Sequence, residues 1–506
     1  MKCLLGIDLG TSGLKAAVFD LQGNQLAKGY AHNRYLASTA GSAEQDPDAW
    51  WQGCCQAVQA ALKSTKTDAR QVVGVGVCGF HHCPVLVGKH GEPVRPCIVS
   101  HDQRMQETLE RLRESGIAKR VMELTGSLVA GGHFPVIYSY LREHEGSSIR
   151  ASRWIMLAKD YLRYKLTGQV GTELCDATGT HLVALPEKNW SPELLDLLQV
   201  ERGKLPEIAS AERVCGSVNS SAAKLTGLKA GTPVAFGGGD SHCALLGLGV
   251  VEPGQVGLLL GTNSTLRITF DTLRKLANPP VWVQNHVVPG LYTASASSMA
   301  GASVLAWLKE ALLEDCFQGL SDDEAYHQLD AQAAEIQPGC EGLMFLPFLH
   351  GERSPVDNLN ARGSYISIGH HHRQAHFVRS LMEGIAYVTA DNLAILQSLN
   401  LTDNRGPKCI HTGRSGGSLL KTWRQILTDA LGYPLQIMAV EEPGCLGAAL
   451  LAGIAVGEYA DIRQAVARAI QYQSRISPQS DTVEVYRKRR ALLSQTYRAL
   501  EPVLYS

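Results

Sequence analysis

A glycine-threonine turn between two apolar runs occurs twice in this chain, about half a chain length apart. The first copy extends from Cys3 to Asp20 and the second from Val256 to Asp271. Each copy is typical of a β-hairpin, and both close on Phe-Asp, so four residues recur in register: Gly10, Thr11, Phe19 and Asp20 as Gly261, Thr262, Phe270 and Asp271. Such a repeat predicts two similarly folded halves with a cleft between them. Chance is the alternative, because strand, Gly-Thr and strand make a short pattern.

The length of the chain supports two domains. A chain of 506 residues exceeds what one hydrophobic core usually supports, which predicts two domains of roughly 250 residues each. We place them at residues 1–246 and 247–506. Strand-like runs such as Val72–Cys78 alternate with helical stretches such as Trp50–Leu62 and Asp160–Leu166, and this alternation predicts an α/β fold.

Charge and cysteine content exclude several classes of function. A formal net charge of -1 and a pI near 7.0 provide no basic field for nucleic acid or an anionic membrane. The 13 cysteines show no CxxC pair and no compact disulfide spacing, which is typical of a reducing cytoplasm. The first residues do not resemble a signal peptide, and no apolar run is long enough to span a membrane. We therefore expect a soluble, cytoplasmic protein.

Asp8 is the first candidate for chemistry. It ends an apolar strand directly before a turn whose glycines allow backbone N–H groups to approach an anion. A carboxylate would repel a phosphate there, and a bridging divalent cation would resolve the conflict. Asp8 and the turn therefore indicate a metal-and-phosphate site, with an ordinary capped hairpin as the alternative.

Asp240 is the second candidate, because it follows three consecutive glycines after the apolar run Pro233–Phe236. Glycine carries a high conformational entropy in the unfolded chain, so three in a row favour close approach of a ligand over a simple turn. Two further glycine loops, Gly261–Thr265 and Gly413–Ser418, could lie against phosphates or a nucleotide. Each of these two loops, taken alone, is weak evidence for a phosphate or nucleotide site, and an ordinary turn is the alternative.

Together these segments resemble the FGGY carbohydrate kinases, and most nearly the xylulose kinases. The resemblance covers nearly the whole chain and rests on these segments: Gly6–Gly13, Glu44–Pro47 with Trp50 and Trp51, Lys159–Arg163 with Leu166–Gly168, Asp176–Gly179, Gly237–Asp240, Leu346–Leu349 with Gly351–Pro355, and Pro443–Ala449.

The resemblance implies two ribonuclease H-like domains of the actin, hexokinase and heat-shock chaperone ATPase type, which close on sugar and ATP. The domain at 1–246 would bind the sugar and provide the base, and the domain at 247–506 would bind the nucleotide. Asp240 falls at the family's general-base position and Asp8 at its metal-associated carboxylate. The resemblance therefore implies that both residues are catalytic and bind Mg²⁺. The residues that the resemblance assigns to phosphates and ATP or ADP are Thr11, Ser12, Lys15, Gly261, Thr262, Gly413, Gly416, Gly417 and Gly444.

For the sugar, the run Gly79–Cys83 looks like the xylulose kinase stretch whose histidine contacts the ketose. That histidine aligns with His82, and we assign substrate binding to His81, His82, Asp102 and Asp240. The pattern Trp-Asn-Asp-Gly-Arg appears here as Ser100–Arg104, which keeps the acid and the arginine and loses the aromatic wall. A core histidine held by the backbone is the alternative for His82.

The implied activity is phosphorylation of the terminal hydroxyl of a ketopentose, with D-xylulose first. L-xylulose, ribulose, gluconate and polyols stay open, because one altered contact can exchange one pentulose for another. A dimer is common in the family, so a homodimer is one expected assembly. From other classes, an ATP-switched binding protein of the actin and chaperone type and a catalytically silent sugar sensor are the competing hypotheses.

Overall fold

The structure is a computed structural model that describes residues 1–36, 41–65, 68–273, 281–402, 406–414 and 416–504. Cα packing groups the chain into two compact units. The first contains residues 1–251, 271–293 and 442–471, and the second contains residues 252–270, 294–441 and 472–506. The first unit therefore includes a late return of the chain at residues 442–471. The predicted boundary between residues 246 and 247 is a single cut in the sequence, whereas each of these units combines several stretches of the chain. The boundary stays a prediction.

The strands alternate with helices along the chain. They are β1 (Cys3–Leu9), β2 (Gly13–Asp20), β3 (Gln25–His32), β4 (Glu44–Gln45), β5 (Val72–Gly79), β6 (Pro84–Val87), β7 (Cys97–Ile98), β8 (Trp154–Leu157), β9 (Thr172–Glu173), β10 (Ile208–Ala209), β11 (Val214–Ser217), β12 (Pro233–Ala235), β13 (Gly238–Gly239), β14 (Val256–Leu260), β15 (Ser264–Phe270), β16 (Trp282–Asn285), β17 (Tyr292–Ser298), β18 (Met344–Leu346), β19 (Ser364–Ile366), β20 (Ile410–Thr412), β21 (Leu435–Met438) and β22 (Tyr472–Ile476).

The α-helices are α1 (Pro47–Thr65), α2 (Gln106–Glu114), α3 (Ile117–Thr125), α4 (Phe134–His144), α5 (Gly146–Ala151), α6 (Ala158–Thr167), α7 (Leu174–Gly179), α8 (Pro192–Leu198), α9 (Ser220–Thr226), α10 (Asp240–Gly247), α11 (Ala302–Trp307), α12 (Asp322–Ala334), α13 (Gln374–Ser398), α14 (Lys421–Leu431), α15 (Pro443–Ala455), α16 (Ile462–Ala469) and α17 (Ser480–Leu504). Short 3₁₀ turns lie at Ala69–Gln71, Arg202–Lys204, Glu314–Phe317, Cys340–Gly342 and Gly416–Leu419, and a π turn lies at Leu308–Leu312.

The main sheet of the first unit has the strand order β11-β12-β5-β1-β2-β3, with β13 beside β5. The predicted opening hairpin is confirmed, because β1 pairs antiparallel with β2 and Asp8 lies opposite Lys15. Strand β5 runs parallel to β1, and β12 runs parallel to β5. The carboxyl ends of β1 and β5 therefore meet at one edge of this sheet.

The second unit repeats this order as β17-β15-β14-β20-β21-β22. Strands β14 and β15 form the second predicted hairpin, β20 runs parallel to β14, β21 runs parallel to β20, and β22 closes antiparallel. The sequence of antiparallel and parallel pairings from β14 to β22 is the one found from β1 to β11. The prediction of two similarly folded α/β halves is confirmed.

The helices predicted from apolar spacing are present. Helix α1 begins at Pro47 and contains the predicted stretch Trp50–Leu62; the Asp46 carboxylate caps it by accepting the backbone N–H of Asp48 at 2.9 Å, and proline is favoured in a first turn. Helix α6 covers the other predicted stretch, Asp160–Leu166.

Among the described residues, no helix is both long enough and apolar enough to cross a bilayer.

Glycines allow α15 to lie directly on the strands and on α10. A Cβ at Gly6 in β1 or at Gly76 in β5 would come within 1.8 or 1.9 Å of a backbone oxygen of α15. A Cβ at Gly447 would lie 1.8 Å from the Cys243 carbonyl oxygen of α10. Backbone cannot rotate away as a side chain can, so α15 is held in place by contacts that only glycine permits.

Substitution of Gly447 by alanine should therefore destabilise the first unit by at least about 2 kcal/mol, since overpacked sites usually cost 1–3 kcal/mol and this one meets backbone. Urea or thermal unfolding measures the loss. Gly203→Ala is the matched control, because a Cβ there meets nothing within 4 Å, and its stability should stay within about 0.5 kcal/mol of the original. Equal stabilities of the two variants would contradict this packing.

Candidate functional site

Asp8 lies at the end of β1, on the face of the sheet that α15 covers. A Cβ at Gly444, in the first turn of α15, would lie 2.7 Å from Asp8 Oδ2. The N-terminus of a helix carries partial positive charge and favours a nearby carboxylate. Asp8 Oδ1 is buried without a hydrogen-bond partner. Gly444, predicted to contact the nucleotide, thus makes room for Asp8; its nucleotide contact stays a prediction.

The environment of Asp8 disfavours its charge. Burial, and next the negative charge of Asp240, raise the pKa of Asp8 to about 6, although Lys15 opposes the shift. A buried carboxylate oxygen without a partner beside a second carboxylate is a site that a divalent cation would stabilise. Asp8 and Asp240 therefore fit the predicted Mg²⁺, with carboxylate oxygens as ligands.

Asp240 is the first residue of α10, and one third of its side chain is exposed. Its Oδ1 accepts the backbone N–H of Ser241 and lies 3.7 Å from Nε2 of His81. The short strand β13 pairs with β5 and delivers Asp240 to the same sheet edge as Asp8. The two acids singled out in the sequence, 232 positions apart, are electrostatically coupled.

The three glycines before Asp240 serve packing inside the protein. Gly237 has φ of +75°, and a Cβ there would lie 1.8 Å from the Val77 carbonyl oxygen. A Cβ at Gly239 would lie 1.7 Å from Cε1 of His81. Close packing against strand β5 and the His81 ring therefore requires glycine at these positions, and approach of a ligand to them stays a prediction.

His81 connects Asp240 to a buried group of charges. Its Nδ1 lies 2.9 Å from Asp176 Oδ1, and Asp176 Oδ2 lies 3.1 Å from Lys159 Nζ. Burial alone would raise the pKa of Asp176, but Lys159 and His81 outweigh it and lower that pKa to about 2. Asp176 is therefore ionised and accepts the proton on His81 Nδ1, which leaves Nε2 directed towards Ser241 and Asp240.

His82 has a left-handed backbone with φ of +75°, and its Nδ1 lies 2.6 Å from the Gly179 carbonyl oxygen. Its ring stacks on His133 with 4.4 Å between centroids. Burial, and next the charges of His81 and His181, hold the pKa of His82 well below its usual value. The ring is therefore neutral, with Nδ1 as donor to Gly179 and Nε2 as the acceptor nitrogen.

Asp102 is already engaged within the protein. Its carboxylate accepts from Arg104 and from the backbone N–H of Ala43 at 2.8 Å, and its side chain is fully buried. A sugar contact at Asp102 stays a prediction. In this structure the hydrogen bonds of Asp102 hold the loop before α2 in place.

Two side chains from outside the first hairpin turn donate hydrogen bonds to its backbone. Gln45 donates to the Thr11 carbonyl oxygen at 2.8 Å, and Asn33 donates to that of Gly10 at 2.8 Å. Ser12 at the tip is exposed. Lys15 pairs with Glu442 at 2.7 Å. Glu442 directly precedes α15 and holds the lysine beside Asp8.

In the second unit, two of the predicted nucleotide segments meet. A Cβ at Gly416 would lie 2.8 Å from the Leu260 carbonyl oxygen, next to Gly261, and one at Gly417 would lie 2.4 Å from the Trp423 ring. The Ser418 hydroxyl donates to the Gly413 carbonyl oxygen at 2.6 Å. Ser415 lies outside the described residues.

The Thr262 carbonyl oxygen accepts from the Ser303 hydroxyl at 2.7 Å. The phosphate and nucleotide roles of Gly261, Thr262, Gly413, Gly416 and Gly417 stay predictions.

Comparisons with known proteins agree with this geometry. Residues 3–247 match the N-terminal domain of the FGGY family of carbohydrate kinases, and residues 258–456 match its C-terminal domain. An autoinducer-2 kinase of Escherichia coli is 30% identical over 98% of this chain and 94% of that protein. The xylulose kinase of Lactococcus lactis is 29% identical over 98% of this chain and 97% of its own length.

Solved structures show the same fold. The xylulose kinase of Rhodospirillum rubrum aligns over 100% of both chains with a TM-score of 0.88 and 26% identity. A gluconate kinase of Lactobacillus acidophilus aligns over 99% of both chains with the same TM-score at 22% identity. The predicted ribonuclease H-like fold with two α/β domains is confirmed.

The raised pKa of Asp8 predicts a pH-dependent cost to stability. An unfolded aspartate has a pKa near 4, so between about pH 4 and pH 6 the folded state holds more protons and stability falls as pH rises. Asp8→Asn should stabilise the metal-free protein by about 1–3 kcal/mol at pH 7.5 and leave it unchanged near pH 4. Thermal unfolding across pH, with the exposed Asp271→Asn as control, measures this. A pH-independent difference would contradict the burial of this charge.

Proposed function

Because the chain belongs to the FGGY family of carbohydrate kinases, we propose that it phosphorylates the terminal hydroxyl of a ketopentose, with D-xylulose converted to D-xylulose 5-phosphate. The coarser activity, ATP-dependent phosphorylation of a sugar, follows from the family match over both domains. The observation that supports a mechanism is the partly exposed Asp240 carboxylate at the start of α10, coupled to Asp8, whose Oδ1 is buried.

Asp240 acts as the general base in this proposal. Its Oδ1 is oriented by the Ser241 amide and faces His81 Nε2, while the exposed part of the carboxylate can accept the proton of the sugar hydroxyl. That hydroxyl oxygen forms the new bond to the γ-phosphorus as the bond to the β-phosphate oxygen breaks. Base assistance of this kind contributes roughly 10²- to 10⁴-fold.

The remaining barrier is lowered by neutralising the phosphate charge. Mg²⁺, held through Asp8 and Asp240, would supply that neutralisation when bound with ATP. Lys15, positioned by Glu442, places an ammonium group close to Asp8, and the backbone of the Gly10–Gly13 turn offers N–H groups to an anion.

The buried rings of His82 and His181 favour an uncharged sugar. The rings of His82 and His181 lie 6.2 Å apart between centroids, and burial, as its largest cause, lowers the pKa of His181 to about 4. Both rings are neutral at physiological pH, so they can bond hydroxyl groups and offer no positive charge to a carboxylate. This favours a neutral ketose or polyol over gluconate.

Xylulose is the substrate proposed first, because relatives at 29% and 26% identity are xylulose kinases. The autoinducer-2 kinases are equally similar in sequence, which makes their substrate the second candidate. L-xylulose, ribulose and polyols complete the set. An ATP-switched binding protein is not proposed, because both domain matches are to carbohydrate kinases.

A panel of acceptors tests the substrate. In an assay coupled to ADP release, we expect the highest kcat/KM with D-xylulose, lower values with L-xylulose, D-ribulose and glycerol, and the lowest with gluconate, because the neutral rings of His82 and His181 would not pair with its carboxylate. Autoinducer-2 belongs in the panel. If it, gluconate or another acceptor exceeds D-xylulose, the proposed substrate is wrong while the family activity stands.

Asp240→Asn tests the base. The amide keeps the size of the side chain but accepts no proton, so turnover should fall at least about a hundredfold, while binding of sugar and nucleotide, measured by calorimetry, is retained. Asp322→Asn, an exposed acid in the first turn of α12, is the control and should keep full activity. An Asp240→Asn enzyme with near-normal kcat would refute the role as base.

A further inference from the structure

Three buried side chains that commonly bind metals meet beside Asp240. His81 follows β5, Cys175 lies in α7 and His242 lies in α10, so three separate segments of the first unit contribute one residue each. One ligand atom from each lies within 4.8 Å of those from the other two. All three side chains are buried, which distinguishes this group from an incidental cluster of surface histidines.

The distance between the two ring nitrogens fits a tetrahedral ion. His81 Nε2 and His242 Nδ1 are 3.3 Å apart. Zinc binds histidine nitrogen at about 2.0–2.1 Å, and in a tetrahedral site this places two nitrogens about 3.3–3.4 Å from each other. The two rings therefore already stand at the separation that such an ion requires, before any ion is bound.

The outer nitrogens of both rings are held in the way that metal-binding histidines usually are. His81 Nδ1 lies 2.9 Å from Asp176 Oδ1, and His242 Nε2 lies 2.9 Å from the Thr293 hydroxyl. A partner on the outer nitrogen fixes the ring and its tautomer, and such partners strengthen metal affinity 10- to 100-fold. With Nδ1 of His81 engaged by Asp176, the other ring nitrogen, Nε2, faces His242 and the rest of the group.

We propose that His81 Nε2, His242 Nδ1 and Cys175 Sγ form a binding site for a thiophilic divalent cation of the Zn²⁺ class. Soft thiolate and imidazole ligands select Zn²⁺ over Mg²⁺, which prefers oxygen. On binding, the S–H bond of Cys175 breaks, the sulfur–metal bond forms and one proton leaves to solvent. A water molecule or the Asp240 carboxylate provides the fourth ligand.

Occupancy of this site would inhibit the kinase. Asp240 Oδ1 lies 3.7 Å from His81 Nε2, so a cation on that nitrogen attracts the carboxylate and competes for the lone pair that would accept the sugar proton. This consequence for turnover rests on the proposed function. Binding of the ion does not, because it depends on the three ligands alone.

Cobalt provides a direct test of binding. Co²⁺ titrated into the full-length, EDTA-treated protein should produce a near-ultraviolet thiolate-to-cobalt band and the intense visible bands of a tetrahedral ion, saturating at one ion per chain. Zn²⁺ should abolish both and Mg²⁺ should not. Other sites can bind cobalt too, for example the exposed His371 beside Glu341, but without a cysteine they give no thiolate band.

Two cysteines of α7 and α10 make a matched pair of variants. Cys175→Ala should lose the thiolate band, whereas Cys243→Ala, which removes a buried thiol next in sequence to His242, should keep it. If Cys175→Ala unfolds, His242→Asn serves instead and should weaken binding at least about tenfold. Absence of the band from the original protein, or its survival in Cys175→Ala, would overturn the proposed site.

Kinase assays at buffered free Zn²⁺ then separate this inference from the proposed function. We expect Zn²⁺ to inhibit the original enzyme in the presence of excess Mg²⁺, and Cys175→Ala to require at least about tenfold more Zn²⁺. If the protein gives the expected cobalt spectra but keeps its full turnover when loaded with Zn²⁺, the metal site is supported. The same result would count against Asp240 as the base.

Discussion

The direct contact of α15 with backbone on two sides is the constraint on which the site depends. Gly6 and Gly76 let this helix rest on β1 and β5, while Gly247 and Gly447 let it touch α10. Asp8 stands at the end of β1, Asp240 at the start of α10, and Glu442 directly before α15. One rigid junction of strands and two helices therefore fixes three acids and, through Glu442, Lys15. Any side chain at these glycines would separate the elements and move the acids apart.

This junction concentrates negative charge that the folded protein does not neutralise by itself. Burial raises the pKa of Asp8, and Asp240 and Glu442 add to the shift, while Lys15 opposes it. A protein selected for stability alone would replace one of these acids, because a buried carboxylate oxygen without a partner costs free energy. Uncompensated negative charge of this kind is expected where a protein binds a cation and a phosphate, because these ligands supply the missing interactions.

Local patterns in the sequence predict much of this arrangement and miss what depends on distant partners. The hairpins at Gly10 and Gly261, the helical stretch Trp50–Leu62 and the acids Asp8 and Asp240 can be predicted because glycine turns and apolar spacing act over a few residues. The pairing of Lys15 with Glu442 cannot be predicted, because more than 400 positions separate them. The glycines at 237–239 indicate a close approach, but the sequence does not show whether a ligand or the chain's own β5 makes it.

His81 and His82 show the same limit on what can be predicted from the sequence. His81 and His82 are neighbours in sequence, yet the left-handed backbone of His82 directs the two rings to different partners, Asp176 for His81 and Gly179 for His82. His82 becomes a neutral acceptor suited to a hydroxyl group. His81 instead lies between Asp240 and the buried Asp176 and Lys159, so a single ring connects that interior group of charges to Asp240. A substitution at Lys159 would therefore remove the cation beside Asp176, and so disturb the partner that holds the His81 ring next to Asp240, without touching Asp240 itself.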